Sequence, residues 1–103
     1  MRIDIEWTTL AFDTLETLPV SLAFEIVRRA DVLAAFPEMG VSMSEHYQTE
    51  FNYRQLVIKG NYLVIHRYDA SQSMIYIAAI QHCRQQLPTY SDLQRAVKKR
   101  QSE

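Results

Sequence analysis

Hydrophobic and polar positions along this chain fall into two periods. "RIDIEW" (2–7) alternates and predicts a first strand. Thr8 or Thr9 is placed to cap a helix whose apolar positions Ala11, Leu15 and Leu18 recur at helical spacing, until Pro19 interrupts it. From about 20 to 35 the period repeats. Leu22, Ile26, Ala30 and Leu33 form one stripe, with Ala23, Val27 and Ala34 beside it and Glu25, Arg29 and Asp31 mainly on the outer side. Two helices joined by so short a break predict a helical hairpin, which Pro37 and Gly40 end.

The period then changes to that of strands. "YRQLVI" (53–58), with a possible earlier start at His46, leads through Lys59-Gly60-Asn61 into "YLVIHRY" (62–68), and "DASQS" (69–73) turns into "MIYIAAIQH" (74–82). Such short links predict antiparallel hairpins. Strict alternation in the last strand places Ile75, Ile77 and Ala79 on one face, beneath the helices with Leu22, Ile26 and Leu56. It places Met74, Tyr76, Ala78, Ile80 and His82 on the other, open face. In the strand at 53–58, Leu56 and Ile58 look inward and Tyr53 and Gln55 outward, with Arg54 on the inward set as a structural hydrogen-bond donor. Beyond Pro88, Ser91 and Gln94 have the spacing of a capping box. A helix of about ten residues follows, with Lys98, Lys99 and Arg100 at the end that its dipole makes favourable for cations. Its apolar set, Leu93, Ala96 and Val97, is thin, so it needs a surface of this chain or of a partner to lie on. The expected architecture is α+β in one domain, 1–103: an antiparallel sheet in the order β-α-α-β-β-β, covered on one face by a helical hairpin, with a short C-terminal helix.

Composition narrows the class. At 103 residues, 48% hydrophobic and 22% charged, the chain has the make-up of one globular domain. A single cysteine, Cys83, has no internal disulfide partner, and the N-terminus carries acids where an export signal carries a basic segment, so a cytoplasmic location is expected. No apolar run reaches the ~18 residues of a membrane span. The net charge of −1 hides an asymmetry. Residues 1–50 carry three basic and nine acidic side chains, whereas 51–103 carry eight basic and three acidic. The basic half suits phosphates or an acidic protein; the acidic half repels nucleic acid.

Candidate chemistry gathers at the end of the last strand, in His82, Arg84 and, six residues on, Tyr90. The plain alternative is a strand end reaching water, with Tyr90 anchoring the tail helix. Neither a metal nor another cofactor is expected: His46, His66, His82 and Cys83 lack ligand spacing, and no glycine-rich phosphate loop is present. Adjacent His82 and Cys83 point to opposite faces of a strand, which excludes a Cys–His nucleophile.

The order and spacing of Arg54-Gln55-Leu56, then Gly60-Asn61-Tyr62-Leu63-Val64-Ile65-His66-Arg67, then the apolar strand ending in His82-Cys83-Arg84, resemble the RelE/ParE superfamily of bacterial toxins. "IEWTTLAFDTLETL" and Phe36-Pro37-Glu38-Met39-Gly40 extend the resemblance over nearly the whole chain. It implies the toxin of a two-gene toxin–antitoxin, plasmid-stabilisation type of module, held inactive by a cognate antitoxin that wraps it with an extended or helical segment. RelE-like members cleave mRNA in the ribosome; ParE-like members block DNA gyrase.

Cleavage through the RNA 2′-hydroxyl needs a base, cations for the phosphorane and an acid for the leaving oxygen. RelE-like enzymes use lysines on the second strand, an arginine on the third, an arginine after the fourth and a C-terminal tyrosine. Arg84 and Tyr90 match the last two in type and spacing. Tyr53 and Gln55 stand at the lysine positions and Leu63 at the arginine position, with Arg67 as a supporting substitute and His82 as a replacement base. Three cations are therefore missing. The reading nearer ParE follows, in which His82, Arg84, Tyr90, Arg67, Tyr53 and Gln55 bind a target such as gyrase. An mRNA interferase with His82, Arg84 and Tyr90 as catalytic residues, and a non-toxic relative acting as a binding module, stay open beside it.

Overall fold

The structure, a computed structural model, describes residues 3–47 and 51–101, with side chains as far as Lys98. Arg2, residues 48–50 and the Lys99 and Arg100 side chains lie outside that description; the earlier strand start at His46 is not taken, because His46 and Tyr47 lie in a turn closed on the Met43 carbonyl and the strand begins at Tyr53. The chain runs β1 (Asp4–Trp7), α1 (Thr9–Glu16), α2 (Val20–Asp31) with a 3-10 turn at Val32–Ala34, β2 (Val41–Ser42), β3 (Tyr53–Ile58), β4 (Tyr62–Asp69), β5 (Met74–His82) and α3 (Tyr90–Gln101). The α+β class, the helical hairpin and the short C-terminal helix are as the periodicity predicts. The sheet order is β1-β5-β4-β3-β2. The hairpins β3–β4 and β4–β5 are antiparallel, but β1 enters beside β5 and parallel to it, making the sheet mixed. A short alternating segment carries no mark of the direction of its neighbour. β2, two residues long, pairs with Gln55 and Arg54 at the far edge.

The sheet has a core on each face. On the hairpin side Ala11, Ile26, Ala30 and Leu33 meet Leu56, Ile58, Val64, Ile75, Ile77 and Ile80. On the other side Met43, Tyr47, Tyr53, Ile65, Tyr76, Ala78 and Ala79 meet Leu93 and Val97 of α3. The face expected to be open is thus roofed by the tail helix, whose thin apolar set finds its surface within this chain.

Alternation in β5 fails at one point. The register pairs Ile65 with Ala79 and His66 with Ile77, leaving Ala78 as an extra residue, a β-bulge. Ala78 and Ala79 consequently both face α3, and Ile80 returns to the hairpin side. The expected faces of Ala79, Ile80 and His82 are therefore reversed, because one extra residue inverts every position beyond it. Thr8 holds the bulge. Its N–H donates to the Ile77 carbonyl (3.1 Å), and its hydroxyl donates to the Ile77 and Ala78 carbonyls (3.1 and 2.9 Å). The same oxygen caps α1 by accepting from the Ala11 N–H at 3.1 Å.

The cap of α3 also differs from the Ser91–Gln94 expectation. Thr89 Oγ1 accepts from the Asp92 N–H (3.1 Å), and Asp92 Oδ2 accepts from the Thr89 N–H (3.4 Å), so the box starts two residues earlier. Tyr90 becomes the first helical residue, and Gln94 is released to point at the sheet.

Candidate functional site

Beneath α3, β3 and β4 place Tyr53 and Arg67 directly opposite each other. Tyr53 donates its hydroxyl to Gln94 Oε1 at 2.5 Å, and Arg67 Nη1 donates to the same oxygen at 3.3 Å. One amide of the tail helix therefore holds two residues of the sheet. The Arg67 guanidinium lies 3.9 Å from the centre of the Phe51 ring and 5.9 Å from that of Tyr76, and its Nη2 is 3.9 Å from Asp69 Oδ2. This combination of cation–π, hydrogen-bond and ionic partners lets Arg67 sit only 6% exposed. Tyr90 meets Tyr53 edge-on at 6.4 Å and keeps part of its ring in solvent. Tyr47 closes the far side, donating its hydroxyl to the Pro88 carbonyl at 2.6 Å.

The phenols are poor bases here. Burial pushes the Tyr47 hydroxyl up to about 12, helped by the neighbouring Tyr53 and Asp92. Burial also raises Tyr53, against the opposing pull of its arginine neighbour Arg67. Both remain protonated donors near neutrality.

His82 and Arg84 stand elsewhere. Past the bulge, His82 turns to the hairpin side and meets its cross-strand partner Tyr62 edge-on at 5.2 Å. Its Nδ1 accepts from the Arg84 N–H (3.1 Å), which leaves the ring proton on Nε2. Gln85 fastens the turn: its side-chain oxygen accepts from the His82 N–H (2.8 Å), and its own N–H donates to the His82 carbonyl (3.0 Å). Cys83 and Arg84 are exposed on this fixed turn. Among the six residues singled out in the sequence, the structure brings together Tyr53, Arg67 and Tyr90. Half-buried Gln55 shares their face one pair along β3, opposite Ile65 and Val41. His82 belongs to the opposite face.

Gln94 and Phe51 complete the cluster without having been singled out. Gln94 was hidden by its plausible place in a capping box. Phe51 lies outside the periodic segments, where no pattern marks it. Arg54, read as structural, donates from Nη1 to the Gly40 carbonyl at 3.1 Å. Gly40 has φ +99°, and a Cβ there would come within 2.5 Å of the Gln55 carbonyl oxygen, so the loop can pass this close only with glycine. Among the described residues no three His, Cys, Asp or Glu side chains gather as a metal would require, and no helix is long and apolar enough to cross a membrane.

A five-stranded mixed sheet with a helical hairpin on one face and a terminal helix on the other is the fold of the RelE toxins. A chain of the toxin–antitoxin complex RelBE2 from Mycobacterium tuberculosis superposes with a TM-score of 0.63 at 20% identity, covering 80% of this chain and 99% of that one. A mutant of the E. coli toxin RelE, in the free state, superposes with a TM-score of 0.67 at 9% identity, covering 96% of this chain and 98% of its own. No family model and no curated protein matches the sequence. At these identities the two structures share a fold with this chain.

Proposed function

We propose that this protein is the toxin of a bacterial toxin–antitoxin module, neutralised by a cognate antitoxin, and that it acts by binding a protein target, DNA gyrase being the leading candidate, rather than by cutting mRNA. The fold supports the toxin reading, as does the fact that one of the similar chains comes from a toxin–antitoxin complex. The observation that carries the preference for binding is the position of Arg67. It is the one cation on the β4 face where a scissile phosphate would need support, and it lies beneath α3 with its guanidinium committed to Phe51 and Gln94. A phosphorane oxygen needs donors aimed at it and unspent, each worth about 2.7–4 kcal/mol of barrier. Tyr53 and Gln55 supply no charge in its place, and Tyr53 spends its proton on Gln94. Arg84, exposed on a fixed turn, suits an interface anchor: guanidinium groups combine area with directed hydrogen bonds.

The test adds purified protein to gyrase supercoiling reactions and to translating ribosomes. Supercoiling should be inhibited while mRNA stays intact. Codon-specific cuts in ribosome-bound mRNA, lost in Tyr90→Phe, would establish the interferase instead. Inactivity in both assays and no growth arrest on induction would leave the non-toxic binding module.

A further inference from the structure

We propose that the end of the sheet where the β3–β4 turn meets the turn after β5 is a docking surface for an acidic segment of a partner protein, contacted by Lys59, Arg84 and Arg29. The surface stands on geometry and charge; that its partner is the cellular target rests on the reading given above.

The β3–β4 turn is closed by the Asn61 N–H, which donates to the Ile58 carbonyl at 3.2 Å. Its central residues, Lys59 and Gly60, both have positive φ, 53° and 74°. Two such angles in succession make the primed hairpin turn, whose first central place favours Asn, Asp or Gly. Lys59 is none of these, and its Cβ is strained there. The residue is exposed, so packing does not account for it. Strain held at a solvent-facing position points to work done by the side chain.

Both neighbours of the turn bring further cations. The Cys83 N–H donates to the Asn61 carbonyl at 2.7 Å, which fixes exposed Arg84 beside the turn. On the hairpin side, the Glu25 carboxyl is held below the usual carboxylate range chiefly by its hydrogen bond from Arg28, with further pulls from Lys59 and Arg29. Both cations therefore stand near it. Glu25 is already bound to Arg28 at 2.6 Å, so that pair is neutral. Among the described residues the Lys59, Arg29 and Arg84 side chains have no hydrogen-bond or ion-pair partner. Three unspent cations from three elements thus meet at one end of a rigid sheet.

Carboxylates on a protein fit this arrangement better than a nucleic-acid strand. A phosphate backbone needs a continuous basic track, and the adjoining hairpin carries Glu16, Glu25 and Asp31 instead. Single strands also need aromatic faces to stack on. The rings at this end, Tyr62 and His82, are turned edge-on to each other at 5.2 Å.

Fluorescence anisotropy of the full chain with a labelled glutamate–glycine peptide should show binding that weakens as salt rises. Lys59→Asn, Arg84→Gln and Arg29→Gln should each weaken it about two- to fivefold, and all three together at least about tenfold. Lys59→Asn should at the same time leave the melting temperature unchanged or raise it, because asparagine suits the turn. The proposal is overturned if the peptide does not bind, if the triple variant binds it as the wild type does, or if Arg95→Gln on α3 weakens binding as much. It is equally overturned if single-stranded RNA of matched charge binds more tightly through the same three residues. Gyrase supercoiling separates the two readings. Inhibition undiminished in the triple variant overturns this surface and leaves the target reading standing. Inhibition by no form, with peptide binding lost only in the variants, leaves the surface standing and sinks the target.

Discussion

Lowering the pH from 7 towards 4 should cost this fold about 3 kcal/mol through His66 alone. The imidazole is fully buried on β4, and neither ring nitrogen has a hydrogen-bond partner among the described residues. Its direct cross-strand neighbour is Arg54, whose Nε is likewise buried and unpartnered. Burial pushes the His66 pKa from 6.5 to about 4. The Met39 backbone, near the ring but short of a good hydrogen bond, pulls it partly back up, and the Arg54 charge pushes it further down. The sign follows from the direction. Above pH 6.5 the ring is neutral in both folded and unfolded chains and contributes no slope. Between 6.5 and 4 the unfolded chain takes a proton that the native one refuses, so stability falls as the pH falls, at up to about 1.4 kcal/mol per pH unit. Below about 4 both states are protonated and the slope disappears. Denaturant unfolding at a series of pH values should therefore show a wild-type slope between 6.5 and 4 that His66→Gln lacks. Carboxylates titrating in both proteins cancel in the difference. Parallel curves for the two proteins, or an imidazole that titrates near 6.5 by NMR, would refute the reasoning.

Ile77→Ala should cost about 2–5 kcal/mol in chemical denaturation, since the side chain is fully buried between β5 and the hairpin. Thr8→Val should cost about 2–4 kcal/mol in the same assay: it removes the cap of α1 and leaves carbonyls at the bulge with fewer donors. Gln94→Ala strips one acceptor from two buried donors, and should cost about 1–3 kcal/mol with amide exchange in α3 accelerated ahead of the sheet. Arg84→Ala should leave the melting temperature within the scatter of surface substitutions, about 0.5 kcal/mol, while reducing growth arrest on induction.

The sequence carried the hairpin and three of the strands plainly, because Ile26, Ala30, Ile75 and Ile77 occupy strict periods and those periods are set by burial. It could not carry the second core. Tyr53, Ile65 and Tyr76 sit on alternating positions whichever way they are covered, and nothing in "SDLQRAVKK" says what Leu93 and Val97 lie upon. The candidate site was legible by residue type, since Tyr53, Arg67 and Tyr90 do meet. The grouping of His82 with them was not, because it required regular alternation through Ala78. Gln94 shows the same ambiguity locally: one glutamine fits a helix cap by spacing and a tyrosine–arginine clamp by geometry, and only the placement of Thr89 decides.

The extra residue in β5 makes the strand one position longer than the ladder that it fills. Ile77 and Ala79 pair with consecutive residues of β4, so Ala78 advances the numbering without advancing the strand. Sequence separations that cross this point are therefore elastic by one. A relative without the extra residue would reach the same place in space one number sooner, with its side chains looking the same way. Separations counted wholly after it, such as the six residues from Arg84 to Tyr90, carry no such slack. Comparison of this chain with others of its fold is best anchored twice, on the turn at His82–Gln85 for positions after Ala78 and on Ile77 for positions before it. A count begun at β1 or at Met74 would set side chains of opposite faces against each other.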